Sequence, residues 1–489
     1  MQKPSLPSGT RDFGPKAFEQ RRYVMGVMEK VFRLHGFQGI ETPALENLST
    51  LQGKYGDEGD QLLFKVLNSG DFLSKVKEED KANIQSKELL PKISNRGLRY
   101  DLTVPLARFV VMNSNEIQFP FKRYQMQPVW RADRPQKGRY REFWQCDVDV
   151  VGTKSVVSEA ELIDIYLEVF KALDLGVIVK INHRGILDSF LSIAGNQENW
   201  NSFMQAIDKF DKIGLEGVNT ELQNRGLSHM LEVWEAYSKL SEQQDITQLI
   251  EGLRNIPELQ GEELESGILA LTEVMELVTD KSSVMWDLRL ARGLSYYTGC
   301  VFEVLPNDQR LDERFNIGSI GGGGRYDNLT GIFGMKDVAG VGVSFGLDRI
   351  MDTLAAMGQG EAVMNESGIL FCCMDKESLP LAVTLSRELR SFGLSAEIYP
   401  GAVKLKKQLD YANQRNKQWA VIIGESERES GELSVKNLVS GEQSKVAQSE
   451  LKNQFTVSIQ VLVRCKMWAF LRMNWKSCKR ICSLHMLQE

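Results

Sequence analysis

Cysteine is sparse in this chain: seven in 489 residues, odd in number and scattered, which leaves no disulfide framework to read. Cys372 and Cys373 are adjacent, and no CxxC pair occurs, so the common zinc signature is missing. Histidine is scarcer still. His35, His183, His229 and His485 are the only four, and no two of them lie at ligand spacing. Neither a protein-bound catalytic metal nor a histidine-centred nucleophile is expected. No run approaches eighteen apolar residues, so no membrane span is predicted. The opening "MQKPSLPSGTRDFGP" has no apolar core of a secretion signal, and the expected compartment is the cytoplasm. The glycine run in "SIGGGGRYD" is not followed by Lys-Ser/Thr, which excludes a P-loop. No acidic residue is clearly placed where a dinucleotide fingerprint would have one.

What is present is an ordinary soluble composition, 42% hydrophobic and 25% charged, long enough for more than one well-buried core. The net charge of −6 argues against general nucleic-acid affinity but allows local basic patches. One such patch is "FPFKRYQMQPVWRADRPQKGRYREFWQCD", residues 119–147, with seven Lys/Arg and seven aromatic residues in twenty-nine positions.

Periodicity divides the chain. Residues 16–35 have the spacing of an amphipathic helix stopped by Gly36, and "FQGIETPALE" reads as a strand. Residues 74–97 are charged and aperiodic and are expected to form a surface loop. "LRYDLTVPLARFVVMN" reads as a strand entering a helix. The basic patch reads as two strands joined by "RPQKG". A helix at "VVSEAELIDIYLEVFKAL" and a strand at "GVIVKIN" follow. From about 185 to 283 the spacing is helical throughout, as expected of a helical insertion. Strand and glycine patterns return at 284. "GQGEAVMNES" reads as a linker, and after it strand and helix alternate in a small α/β unit. The expected organisation is a first domain at 1–355, a linker at 356–366, a second domain at 367–455 and an atypical tail at 456–489.

On the second strand of the patch, alternation puts Arg139, Arg141, Phe143, Gln145, Asp147 and Asp149 on one face. Tyr140, Trp144, Cys146, Val148 and Val150 take the other, with Glu142 among them. A buried face does not ordinarily carry two arginines and two aspartates, because unpaired buried charge is costly. Two readings follow: a solvated ribbon face, or a pocket for a ligand with a phosphate end, a flat ring and a polar end. The glycine run could be a flexible turn or, beside Arg325, a backbone approached by a ligand. "LARGLSYYTG" could be an edge strand with a solvated Arg292. Arg349 in "GVSFGLDRI" could pair with Asp348 or Asp352.

Together these segments resemble the class II aminoacyl-tRNA synthetases, and within them the histidyl-tRNA synthetase family. The resemblance runs from residue 8 to about 450. "GTRDFGP", the following helix and "GFQGIETPALE" look like the family's start and its dimer-forming first motif. "VWRADRPQKGRYREFWQCDVDVVG" looks like the second motif and "GVGVSFGLDRI" like the third. "LARGLSYYTG" and "GGGGRYD" resemble the two segments peculiar to the histidine enzymes. Asp133 stands where many members carry Glu, and Ser295 where Asp or Asn is frequent.

The resemblance implies an α/β (α+β) protein: an antiparallel-sheet catalytic domain with a helical insertion, followed by an α/β anticodon-binding domain. It implies a homodimer that joins L-histidine to ATP and passes the histidyl group to tRNA(His). Arg131, Arg292 and Arg349 match its catalytic positions. Asp101, Thr103, Gln145, Asp149, Tyr296 and Tyr297 match its histidine contacts. Arg131, Asp133, Arg139, Phe143 and Arg349 match its ATP contacts, and Mg²⁺ is expected on the ATP phosphates. Carboxylates, an amide and hydroxyls can engage both nitrogens of an imidazole. Such a site rejects an apolar analogue by ~10⁴-fold or more, so no editing domain is needed. The basic helix in "KLKKQLDYANQRNKQ" suits RNA phosphates and unstacked bases. The alternative is a non-catalytic synthetase relative acting as a regulatory subunit of histidine biosynthesis. Such a protein would be expected to lose the arginines, the second-motif loop and the last domain, all of which this chain keeps.

Residues 459–489 resemble nothing before them. They hold three of the seven cysteines and six basic residues against one acid. They are read as unselected sequence, such as a shifted reading frame, in preference to a basic RNA- or membrane-contacting extension.

Overall fold

A computed structural model of the chain describes residues 3–53, 56–76, 86–243, 245–291, 297–312, 314–359 and 368–455. Two compact units are present, Met1–Glu361 and Ala362–Glu489. The first is built on an eight-stranded sheet. From edge to edge its strands are Gln38–Gly39, Phe121–Trp130, Glu142–Val151, Gly340–Gly346, Gly321–Arg325, Cys300–Pro306, Val177–His183 and Val284–Trp286. The five interior pairings are antiparallel, and the two edge strands pair parallel.

Two helices cover one face of this sheet. Pro15–Leu34 starts with proline at its first position and buries Val24, Met25, Met28, Val31 and Phe32, the spacing of one apolar stripe. Gly36 follows with φ +79°, a left-handed stop that suits glycine. Val157–Ala172 buries Leu162, Ile163, Tyr166, Val169 and Phe170. The rings of Phe32, Tyr166 and Phe170 converge on Phe345 of the sheet at 4.6–5.6 Å between centroids. The apolar alternates of the second patch strand, Cys146, Val148 and Val150, face this core.

The region 185–283 is helical and contains no strand among its described residues. It has no core of its own. Trp200, Phe203, Trp234, Tyr237, Leu253 and Leu271 belong to the same buried cluster as the sheet and its two helices. Asn182 and Tyr237 tie helices to sheet by donating to the carbonyl of Leu288 at 2.9 and 2.8 Å.

The expected loop at 74–97 is corrected by a helix at Ser86–Ile93 and a strand at Arg96–Leu98. The helix is two turns long and contains Pro91, too short for a readable period. The strand is the centre of a three-stranded sheet with Leu45–Asn47 and Lys65–Val66.

The second unit has a five-stranded sheet ordered Ala396–Ile398, Ile369–Cys373, Trp419–Ile423, Glu432–Asn437 and Gln443–Ala447. Its first three strands are parallel and the last two antiparallel. Helices Leu379–Ser391 and Leu405–Gln414 join them. Buried Gln408 stitches the second helix to the sheet, donating to Cys373 O and Val403 O and accepting from Cys373 N. Leu451 and Phe455 close the core. Residues 456–489, with the whole atypical tail, lie outside the described residues.

Candidate active site

The face of the large sheet opposite the two helices is polar and rich in glycine. Register sets Arg123 opposite Asp149, Gln125 opposite Asp147 and Gln127 opposite Gln145. On the far side Asp149 meets Gly342, Asp147 meets Ser344 and Gln145 meets Gly346. The next strand continues the rows with Gly324 opposite Gly342 and Gly322 opposite Ser344. Polar and charged side chains on two strands thus face glycines and Ser344 on the next two, which makes a hollow in a continuous sheet.

The glycine run is therefore neither a flexible turn nor a phosphate loop but a strand. A Cβ on Gly323 would lie 2.1 Å from Gly342 O, and one on Gly324 2.7 Å from the Tyr297 ring. Arg325 is a structural residue, paired with buried Glu159 at 2.6 Å and donating to Thr153 O.

The aspartates on this face are buried, which rules out the solvated ribbon. Asp101, Asp147 and Asp149 are each at most 3% exposed. Asp149 pairs with fully buried Arg123 at 2.8 Å and accepts from the Tyr326 hydroxyl. A Cβ on Gly342 would sit 1.9 Å from Asp149 Oδ1, so glycine there makes room for the carboxylate. Burial raises the Asp149 pKa, while Arg123 and the Tyr326 hydrogen bond oppose it. Burial pushes Asp147 up to about 7, with Arg123 pulling it down and Asp149 and Asp101 adding to the rise. Asp101 Oδ1 accepts from Val104 N at 3.1 Å, at the start of helix Thr103–Met112. Thr103 opens that helix, half-buried.

Gln145 Nε2 donates to Ser344 Oγ at 3.1 Å. Its Oε1, with Arg123 Nε and Nη1, Gln125 Oε1 and Asp147 Oδ1, is buried without a hydrogen-bond partner among the described residues. Leaving such a group unmade costs about 1–3 kcal/mol, so a cluster of them on one patch calls for water or a polar ligand to complete it. The unpartnered set mixes donors and acceptors.

Towards the loop the character changes. The Arg131 guanidinium stands 4.2 Å from the Tyr100 ring and 5.3 Å from the Phe143 ring, and its Nε donates to Tyr100 O. Arg139 pairs with Asp133 at 3.4 Å. Arg349 donates to two backbone carbonyls. Its Nε donates to Gly138 O at 2.8 Å and its Nη1 to Ser319 O at 2.6 Å, so it reaches the tip of the 131–141 loop. Asp149 meets Arg123 with the charge of Asp101 close by, Gln145 lies two positions along the same strand face, Tyr297 stands beside Gly324, and Arg131, Phe143 and Arg349 lie at the 131–141 loop. Arg292 and Tyr296 lie outside the described residues.

Sequence reading missed Arg123, Gln125, Ser344 and Tyr326. A signal existed for the first two: the alternation in "FKRYQMQ" puts Arg123, Gln125 and Gln127 on one strand face. Nothing local marks Tyr326.

Comparison with known proteins supplies the family. A family model described as Histidyl-tRNA synthetase matches residues 71–350, and one described as Anticodon binding domain matches 363–457. The chain is 47% identical over 454 residues to the Histidine--tRNA ligase of Christiangramia forsetii, covering 91% of this chain and 97% of that one. It is 48% identical over 464 residues to that of Cytophaga hutchinsonii, covering 92% and 99%. The crystal structure of histidyl-tRNA synthetase from Nostoc sp. PCC 7120 superposes with TM-score 0.74 at 29% identity, covering 94% of this chain and all of that one. An ATP phosphoribosyltransferase regulatory subunit/histidyl-tRNA synthetase from Bacillus halodurans reaches TM-score 0.67 at 22% identity, covering 86% and 99%, a likeness of fold alone. With a family model over more than half its length and near full-length relatives at almost half identity, the chain belongs to the histidyl-tRNA synthetase family.

Proposed function

We propose that this chain is a histidine–tRNA ligase that activates L-histidine with ATP and passes the histidyl group to tRNA(His). The observation that carries the assignment of the pocket is the buried, mixed set of unpartnered donors and acceptors on the glycine-rich face of the sheet, beside an arginine-bearing loop. In the first step a histidine carboxylate oxygen attacks the α-phosphorus, the bond to the β-phosphate oxygen breaks, and pyrophosphate leaves. In the second, a terminal ribose hydroxyl of tRNA attacks the activated carbonyl and AMP leaves. Two anions must meet in the first step, so positioning and positive charge do most of the work.

Asp101, Thr103, Gln145, Asp149, Tyr296 and Tyr297 are assigned to histidine. Arg131 bridges the histidine carboxylate side and the α-phosphate, and Arg292 stabilises the α-phosphate as it reacts. Arg131, Asp133, Arg139, Phe143 and Arg349 are assigned to ATP, with adenine stacked on Phe143 and Arg349 at the γ-phosphate. The proximity of Arg131 to Phe143 supports placing phosphate and ring side by side. The side chains around the ATP half are mainly cationic, and Asp133 already faces Arg139. That donor set suits Mg²⁺ carried on ATP phosphates rather than ligated by protein. Lys404, Lys406 and Lys407 are exposed at the start of helix Leu405–Gln414 and are assigned to tRNA phosphates.

Helix Pro15–Leu34 exposes Phe18, Tyr23 and Leu34, which supports a two-fold interface there. Light scattering that returned a monomer at working concentration would count against it. A cytoplasmic location is part of this reading, and no helix among the described residues is long and apolar enough to cross a membrane. The regulatory alternative is disfavoured, because the relatives at 47–48% identity are named as ligases. Histidine-dependent ATP–pyrophosphate exchange tests the function. Its absence in folded protein, with ATP and Mg²⁺ supplied, would favour the regulatory reading.

A further inference from the structure

Residues 8–13 grip the 131–141 loop from outside. Gly9 O accepts from Arg141 N at 2.8 Å, and Ser8 O accepts from Arg141 Nη1 at 3.4 Å. Gly9 has φ +84°, and a Cβ there would lie 2.8 Å from Arg141 Cγ, so glycine is needed for both backbone and contact. Two residues on, the Arg11 guanidinium stacks on the Tyr140 ring at 3.3 Å. It pairs with Asp348 at 2.5 Å and approaches Asp352 at 3.9 Å. The Tyr140 hydroxyl in turn donates to Asp352 at 3.0 Å.

Asp348 is the point where these elements meet. It is 4% exposed. Its Oδ1 takes both Arg11 and Arg21, the latter at 2.6 Å, and its Oδ2 accepts from Trp144 N at 2.8 Å. The next residue, Arg349, reaches to the loop tip through Gly138 O. One helical turn therefore holds the loop from two sides, by Asp348 through the N-terminal strap and by Arg349 directly.

We propose that the strap, residues 8–13, is a positioning device for the ATP half of the site, with Arg11 fixing the 131–141 loop against the helix that carries Arg349. The proposal rests on the reading that this loop and Arg349 hold ATP. Arg11 touches no reacting atom; it acts through Tyr140 and Asp348. Its side chain is 28% exposed, and buried Asp348 keeps Arg21 and Trp144 N when Arg11 is removed, so the change loses a partly solvated contact rather than stranding a buried charge. The fold survives that loss, but the loop does not keep its placement. A displacement of ~1 Å far from the chemistry can lower a rate by ~10²-fold.

The test uses histidine-dependent ATP–pyrophosphate exchange by the full chain. Arg11→Met should unfold at nearly the parental temperature and raise KM for ATP by about tenfold or more, with KM for histidine within about twofold. Arg11→Lys, which keeps the charge but not the planar stack, should recover part of the loss. An unchanged KM for ATP in folded Arg11→Met overturns the proposal. So does an equal rise in both KM values accompanied by lost thermal stability, which would make the strap a plain brace. Arg349→Ala serves as the control. If it raises KM for ATP and Arg11→Met does not, the strap alone is misjudged. If it leaves KM for ATP unchanged, the ATP assignment itself fails and the proposal with it.

Discussion

Arg123 reaches Asp149 across 2.8 Å inside the large sheet, with 0% and 3% of their side chains exposed. The pair exists because register sets the two residues opposite one another and because Gly342 leaves space for the carboxylate. Breaking a buried pair from one side strands the other charge, at a cost of about 3–5 kcal/mol. Arg123→Met should be destabilised by that order in denaturant unfolding. Adding Asp149→Asn, which removes the stranded charge, should return a large part. A double variant as unstable as the single one would show that the loss comes from packing and not from the unpaired carboxylate.

Asp149 also serves as the test of substrate assignment. Asp149→Ala should raise KM for histidine far more than KM for ATP, because it lies three rows beyond Phe143 on the same strand face. The comparison is made by exchange kinetics at saturating levels of the second substrate. Equal effects on both substrates would mean that the pocket is misassigned.

Arg292→Ala should abolish most adenylate formation while leaving the chain folded. Removing one preorganised group at developing charge lowers turnover by roughly 10²–10³-fold. Single-turnover measurement of adenylate, read beside a thermal melt, separates lost chemistry from lost structure. Near-normal adenylate formation in folded variant protein would refute the role.

Stability should fall on acidification through His183. Burial, and after it the charge of Arg325, hold this histidine down to about 4 from its ordinary 6.5. Its Nδ1 accepts from Gly185 N at 3.0 Å, which requires the neutral ring. The unfolded chain takes up a proton near 6.5 and the folded one only near 4. Between those values the unfolded state binds more protons, so stability present above 6.5 is lost as pH falls towards 4. His183→Asn, which keeps an acceptor but cannot titrate, should flatten the pH dependence of unfolding in that window. The same slope in the variant would assign the effect to other groups.

A chain ending at Phe455 should retain histidine-dependent exchange. Phe455 is 1% exposed, lies 5.6 Å from the Trp419 ring and belongs to the core of the second unit. Ending before Leu451 should destabilise that unit, because two buried side chains leave its core. Loss of exchange on removing only 456–489, with the first unit still folded, would make the tail functional.

Much of this was open to reading from the chain itself. Alternation on the second patch strand separated Cys146, Val148 and Val150 from Gln145, Asp147 and Asp149, because a strand's side chains have a period of two whatever lies beside them. The helix at 15–34, the helical stretch at 185–283 and the strand–helix alternation after 368 likewise follow from local periods. The family-like segments around Arg131, Arg292 and Arg349 pointed to phosphate chemistry in an acidic protein.

Other features depend on which strand lies next to which. The helix at Ser86–Ile93 was too short and charged to declare itself, and its neighbouring strand is defined by pairing with residues about fifty positions earlier and thirty positions earlier. The four glycines could not be told from a turn until Gly342 O and the Tyr297 ring stood where a Cβ would go. Arg325 became structural only when Glu159 met it across the fold. Arg123, Gln125 and Tyr326 entered the site through register and packing. The meeting of Arg11, Arg21 and Trp144 on Asp348 joins parts of the chain more than three hundred residues apart to a strand about two hundred residues away. Periodicity and residue chemistry are properties of the chain at short range and can be read along it. Which buried charge finds which partner is decided by long-range contacts, and those are formed only when the sheet and its helices assemble.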